Sequence, residues 1–244
     1  MNAVSIDMDY IMKPVINLYN DLSNSMNPDR VWDTINKVRN IDEFAKIDEK
    51  NFLLILKTIS KILSKYSENK TKIVFAENHD YILEDLTKHP NIKLINIDHH
   101  HDISYSPEQA RDVDQFDYTT VANWVWYLDK YKLLSEYTWV RNENSDQYKG
   151  AEMTGRFTEL IEPKDIDLNT IDNRVDLLFI CKSRSWIYPK FIIYFDYVYE
   201  MICSFLGRRL EIHKESYCVG GLPRKAEVDN RIKEEPTSKP KFFC

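Results

Sequence analysis

Two aspartates bracket three histidines in the stretch Asn96-Ile97-Asp98-His99-His100-His101-Asp102-Ile103-Ser104, directly after an apolar run from Ile92 to Ile97. That run predicts a buried strand. In an extended chain alternate side chains share a face, so Asp98, His100 and Asp102 are expected on one side and His99 and His101 on the other. Two carboxylates around an imidazole form a ligand set for a divalent ion such as Mn²⁺ or Zn²⁺. Two further stretches carry the same chemistry. Val4-Ser5-Ile6-Asp7-Met8-Asp9-Tyr10 ends a short strand in two carboxylates spaced to share a face, and Val74-Phe75-Ala76-Glu77-Asn78-His79-Asp80 sets a histidine just past another strand.

Taken singly, each stretch has a plain alternative: a solvated loop start, a helix cap, a polar strand end. Together they do not read that way. Five of the six histidines lie between His79 and His101. Four carboxylates and two imidazoles on one sheet edge repel unless cations neutralise them. Six oxygen and nitrogen ligands, with carboxylates able to bridge, suit a pair of divalent ions. Such a pair acidifies a shared water and polarises an electrophile, which is the chemistry of metal-assisted hydrolysis.

The elements that must position these residues alternate. Strands are predicted over Val4–Met8, Ile73–Ala76, Ile92–Ile97, Tyr137–Val140 and Val175–Cys181. Asn27-Pro28 is a helix start, with Asn as N-cap and Pro at the first helical position. Phe52, Ile55, Leu56, Ile59, Ile62 and Leu63 recur at helical spacing. Further helices are expected from Tyr81 to Lys88, from about Thr119 to Leu133 and after Pro189, the last ending at Gly207 with Arg208-Arg209 against its dipole. Residues 142 to 174 read as a long loop with a helical turn or two. The alternation predicts an α/β fold, a three-layer parallel sheet flanked by helices, in which sites form at the carboxyl ends of strands. One domain is expected over residues 1–222, followed by a polar C-terminal tail over 223–244.

Composition bounds the partners. The formal charge of −6 argues against broad nucleic-acid binding. No stretch is apolar and long enough for a membrane span, since Lys190, Asp196 and Glu200 interrupt the most apolar helix. Cys181, Cys203, Cys218 and Cys244 form no CxxC pair and read as reduced thiols, so a cytoplasmic location is expected.

Ser5-Ile6-Asp7-Met8-Asp9, the strand-end His79 and Asp98-His99-His100-His101-Asp102 resemble the three metal motifs of the arginase/ureohydrolase superfamily. The nearer resemblance is to the ureohydrolase-like family that includes the peptide arginases. It extends to Glu77-Asn78-His79, to the pair Asn123-Trp124 and to a strand ending in a serine, Ile180 to Ser183. The resemblance implies two Mn²⁺ ions bridged by Asp7 and Asp98, one completed by His79 and Asp102 and the other by His100 and Asp9. It implies that a hydroxide between the ions, oriented by Asp102, attacks the guanidinium carbon of an arginine in a peptide substrate, releasing urea and leaving ornithine. Glu77, Asn123 and Ser183 become candidate substrate-binding residues. Three departures stand beside it. The DxD strand precedes DxHxD here, which implies a permuted chain. The histidine that arginases use for proton transfer has no counterpart. Phe179-Ile180-Cys181-Lys182 stands where the guanidinium-binding acid is expected, leaving Glu77, Asp80, Asp114 and Asp117 as substitutes.

Two rival readings remain open. Ile97-Asp98-His99-His100 also resembles the signature of the DHH phosphoesterases, Mn²⁺ enzymes with an N-terminal DxD. Ala3 stands where those enzymes have a further histidine, and a chain with 5 glycines has no counterpart to their Gly-rich substrate domain. The chain also fits a non-catalytic peptide-binding module whose Trp124, Trp126, Trp139 and Trp186 line a groove, although aromatics also serve as ordinary core.

Overall fold

The computed structural model describes residues 1–13, 28–39, 45–68, 70–116, 118–145, 148, 153–160, 174–184 and 186–215. Among them, seven strands form one sheet: β1 (Asn2–Asp7), β4 (Lys72–Ala76), β5 (Ile92–Asp98), β6 (Leu134–Arg141), β7 (Arg156–Leu160), β8 (Leu177–Cys181) and β9 (Ile212–His213). Their order is β7-β6-β5-β1-β8-β4-β9, and every pairing is parallel. A separate antiparallel pair joins β2 (Met12–Lys13) to β3 (Lys46–Ile47). Strands buried on both faces need no alternation, which is why the central ones read as apolar runs.

The two faces hold separate cores. Val4, Ile6, Phe75, Ile97, Leu178 and Ile180 face the helices Pro28–Arg39, Glu49–Ser64 and Ile192–Leu206. Ala3, Val74, Leu94, Phe179 and Trp139 face the helices Leu83–Leu86, Pro107–Phe116 and Trp124–Lys130. The result is a three-layer α/β fold. On the first face Phe75 packs edge-on against Phe195 and Tyr199, with ring centroids 5.7 and 5.1 Å away. Phe75→Ala is expected to lower unfolding free energy by about 3–5 kcal/mol, through lost burial and the cavity left behind. A denaturant midpoint unchanged from wild type would contradict this.

Three sequence expectations need correction. The stretch from 142 to 174 is not all loop, because Arg156–Leu160 forms the edge strand β7 beside β6. Its polar residues sit on a partly exposed edge, so it lacks an apolar run. The helix expected from Thr119 begins only at Trp124. The Asn123 side chain holds the preceding turn, accepting from the Thr120 N–H at 2.6 Å. The helix Pro107–Phe116, which the sequence reading missed, is mainly polar and buries Val113. By contrast, the helix Ile192–Leu206 ends as expected, with Gly207 at φ 67°. No helix among the described residues is long and apolar enough to cross a membrane. Asn27, Asp117 and the tail 223–244 lie outside the described residues.

Candidate metal centre

Three adjacent strand ends build the site. Ile6 is in register with Ile97 of β5 and Ile180 of β8, and Asp7 is in register with Cys181. Asp7 and Asp98 therefore finish neighbouring strands at one level. Strand parity points Ser5 and Asp7, Asn96 and Asp98, and Phe179 and Cys181 toward the same layer of helices.

Past the strands the chain does not stay extended, contrary to the sequence expectation. Met8–Ile11 is a 3₁₀ turn whose first N–H groups need acceptors, and Asp7 Oδ1 accepts the Asp9 N–H at 3.1 Å. Asp9 is carried on that turn, which Asn142 and Asn51 hold by donating to the Tyr10 carbonyl at 2.9 and 3.1 Å. Asp102 has left-handed backbone, φ 51°, a region aspartate tolerates better than most residues. Its carbonyl accepts the Val125 N–H at 3.0 Å.

All six expected ligands converge. His79 Nδ1 lies 3.1 Å from Asp7 Oδ2, 3.1 Å from Asp98 Oδ2 and 3.0 Å from Asp102 Oδ2. His100 Nδ1 lies 2.9 Å from Asp9 Oδ2, and Asp98 Oδ1 accepts the His100 N–H at 2.8 Å. Asp98 belongs to both groups, His79–Asp98–Asp102 and Asp9–Asp98–His100. His79 and the four aspartates are buried, while the His100 side chain keeps 23% of its surface exposed. The site thus has a closed inner end and an open outer one.

The electrostatics follow from burial and crowding. Burial, and then the Asp102 and Asp7 carboxylates, pushes the Asp98 carboxyl up to about 7. Burial likewise raises Asp7, with Asp9 adding to it, and raises Asp9. Burial works against a charged imidazole at His100, but Asp9 foremost among the carboxylates overcomes it and lifts the ring to about 10. His79 is also raised well above the ordinary histidine value, by Asp102 first, against the opposing effect of its burial. Without cations, the cluster is held together by protons.

Divalent ions suit this arrangement better. One imidazole nitrogen cannot give a good hydrogen bond to three carboxylates at once. Asp9 Oδ1 is buried with no hydrogen-bond partner among the described residues, which normally costs folding free energy. The surroundings also orient the ligands as they would for a metal. Ser5 Oγ lies 2.6 Å from His79 Nε2, so a proton on Nε2 leaves the Nδ1 lone pair facing the carboxylates. Asn96 donates to Asp98 Oδ2 at 3.2 Å, and Trp124 Nε1 donates to Asp102 Oδ2 at 2.7 Å. Trp124→Phe keeps an aromatic ring, though a smaller one, and removes that donor. Its expected effect is a loss of about 10–100-fold in divalent-ion affinity, read by calorimetric titration; undiminished affinity would rule out the orienting role.

The three candidate substrate residues are placed differently. Glu77 is committed to two cations of this chain, Arg184 Nη1 at 3.2 Å and Lys182 Nζ at 3.8 Å. Asn123 is taken up by Thr120 and by the Gln109 carbonyl, to which it donates at 3.2 Å, so Trp124 is the member of the pair that reaches the carboxylates. Ser183 has φ 55°, and its buried hydroxyl has no hydrogen-bond partner among the described residues. Among the substitute acids, Asp114 accepts from Trp126 Nε1 at 3.0 Å. His101 turns away from the cluster, as expected, and stacks on Tyr105 with centroids 4.1 Å apart; burial holds it neutral, down to about 3. The sequence reading missed Ser5, Asn96 and Cys181. Each is a polar or soft side chain on the buried face of a strand, and Ser5 and Asn96 stand two residues before a ligand, so parity alone was the available signal.

Comparison with protein-family models, with curated proteins and with solved structures gives no match for this chain. Its function must be read from the site.

Proposed function

We propose that this chain is a binuclear-metal hydrolase of the ureohydrolase type, arginase-like with permuted motif order, that converts peptidyl arginine to peptidyl ornithine with release of urea. The observation that carries the proposal is the convergence of Asp7, Asp9, His79, Asp98, His100 and Asp102 from separate segments, with Asp98 common to two groups. Two divalent ions, Mn²⁺ by resemblance, would supply an acidified water and an electrophile-polarising charge. His79, Asp7, Asp98 and Asp102 would hold the inner ion, and Asp9, Asp98 and His100 the outer one.

The chain's own residues suggest how substrate is received. His100 is the exposed edge of the cluster, and Trp186 packs against it with ring centroids 4.7 Å apart. Tyr105, 42% exposed, meets the same imidazole edge-on at 6.0 Å. Aromatic faces beside an open position attract a guanidinium group. The Ser183 hydroxyl, without a partner among the described residues, would accept a hydrogen bond from a substrate N–H, and Asp102 would accept one from an attacking water. Glu77 can serve a substrate guanidinium only by releasing Arg184.

The loop that contains Lys182 and Arg184 also favours a second reading, a phosphoester substrate, because those two cations would suit phosphate oxygens on release from Glu77. Mass spectrometry of arginine-containing peptides incubated with metal-loaded protein separates the two. Ornithine formation with stoichiometric urea is the expected result. Hydrolysis of phosphodiesters with untouched peptides would replace the ureohydrolase reading, and inertness toward both with metal bound would leave a binding module.

A further inference from the structure

We infer that Cys181 is a ligand of the inner ion, and that its thiolate makes this position select a thiophilic divalent ion, Zn²⁺ or Fe²⁺, over Mn²⁺. The inference rests on the metal-centre reading and adds to it a donor that the metal motifs lack. Cys181 ends β8, is fully buried, and is in register with Asp7 on one side and Ala76 on the other. Its sulfur and single ligand atoms of Asp7 and His79 all lie within 4.8 Å of one another. That is the spacing of donors sharing one ion. His79 is common to this group and to His79–Asp98–Asp102, so the sulfur would join Asp7 and His79 as a third donor on a closed, buried position.

A buried cysteine is often only a small apolar filler. This one sits among carboxylates instead. Its sulfur lies within 4.8 Å of a ligand atom of Asp7 and of His79. The backbone is arranged for a cation. Ser183, held at φ 55°, directs its N–H onto the Cys181 sulfur at 3.2 Å, the kind of support that metal-bound thiolates receive. The thiol faces the Glu77 carbonyl at 3.6 Å, a weak bond that is easily given up. On metal binding the S–H bond breaks, the sulfur–metal bond forms and the proton passes to buffer, with no change of oxidation state.

The two positions then differ in kind. Thiolate with imidazole suits Zn²⁺ or Fe²⁺, whereas Asp9, Asp98 and His100 offer the harder set that Mn²⁺ accepts. Cobalt(II) reports the difference, because a thiolate ligand adds an intense near-ultraviolet charge-transfer band to the weak visible bands of any bound Co²⁺. The full-length chain carrying Cys203→Ser, Cys218→Ser and Cys244→Ser retains Cys181 as its only thiol. Its first equivalent of Co²⁺ is expected to give the charge-transfer band. Adding Cys181→Ser should remove that band, keep the visible ones and lower the preference for Zn²⁺ over Mn²⁺ on the order of 100-fold. Visible bands without charge transfer in the three-serine chain would overturn the Cys181 assignment and leave the metal centre standing. Failure to take up any Co²⁺, in that chain and in wild type, would overturn both.

Discussion

Asp98→Asn is expected to empty both metal positions and to abolish hydrolysis. Asp98 is fully buried, and each of its oxygens serves a different group. Oδ2 lies 3.1 Å from His79 Nδ1 and also accepts from Asn96 Nδ2 at 3.2 Å. Oδ1 accepts the His100 N–H at 2.8 Å. An asparagine preserving the Oδ1 contact turns its NH₂ toward the Asn96 amide, setting donor against donor, and removes the charge that the two ions would share. Losing a residue that merely supports a metal site costs about 10–100-fold in affinity, so loss of a shared ligand should exceed about 100-fold. Elemental analysis should find both ions missing, and turnover should fall by about three orders of magnitude or more. Folding should survive, because the substitution thins a crowd of buried carboxylates that repel one another when cations are absent. A variant that binds two ions per chain and retains its turnover would refute the shared-ligand arrangement.

The second large effect is on pH. In the metal-free site His100 holds its proton up to about pH 10, and Asp98 up to about 7. A metal must displace those protons, so binding releases them and affinity rises with pH. Between pH 10 and 7 the outer position should lose about tenfold in affinity per pH unit, for the His100 proton alone. Below about pH 7 the Asp98 proton joins it and the slope steepens. Isothermal titration calorimetry in buffers of different ionisation enthalpy counts the released protons directly. An affinity flat between pH 6 and 9, with no proton release, would contradict the proposed ligands.

The same linkage governs stability of the metal-free chain. His100 and His79 have folded values above the ordinary histidine value, so their ion pairs contribute fully below it and are lost as pH rises through the raised values. Asp7, Asp9 and Asp98 are raised too, so their ionisation at higher pH weakens the fold in the same direction. Divalent ions should reverse this loss by binding the folded state alone.

Much of the site was legible because strand ends leave a strict signature. Apolar runs ending in Asp7 and Asp98 fix both the strand and the level at which each carboxylate emerges, and His79 follows a third such run. Alternation predicted the right residues for a partly wrong reason. Asp9 and Asp102 arrive through a 3₁₀ turn and a left-handed backbone rather than an extended chain. Sequence could not tell these apart, because both outcomes bring the carboxylates to the strand ends. Asn123 looked available, yet its amide is consumed locally, since a polar group in a buried turn takes the nearest partner.

By itself the sequence determined a parallel α/β chain and six candidate ligands, because hydrophobic periodicity and donor chemistry are local properties. Only the tertiary structure decided that β1, β5 and β8 lie side by side, and so brought Asp7, Asp98 and Cys181 to one level. It also decided that Trp124 and Ser5 orient the ligands and that Glu77 pairs with Arg184. Those are contacts between residues far apart in the chain. Strand order and loop paths are set by the packing of whole faces, which no single stretch encodes.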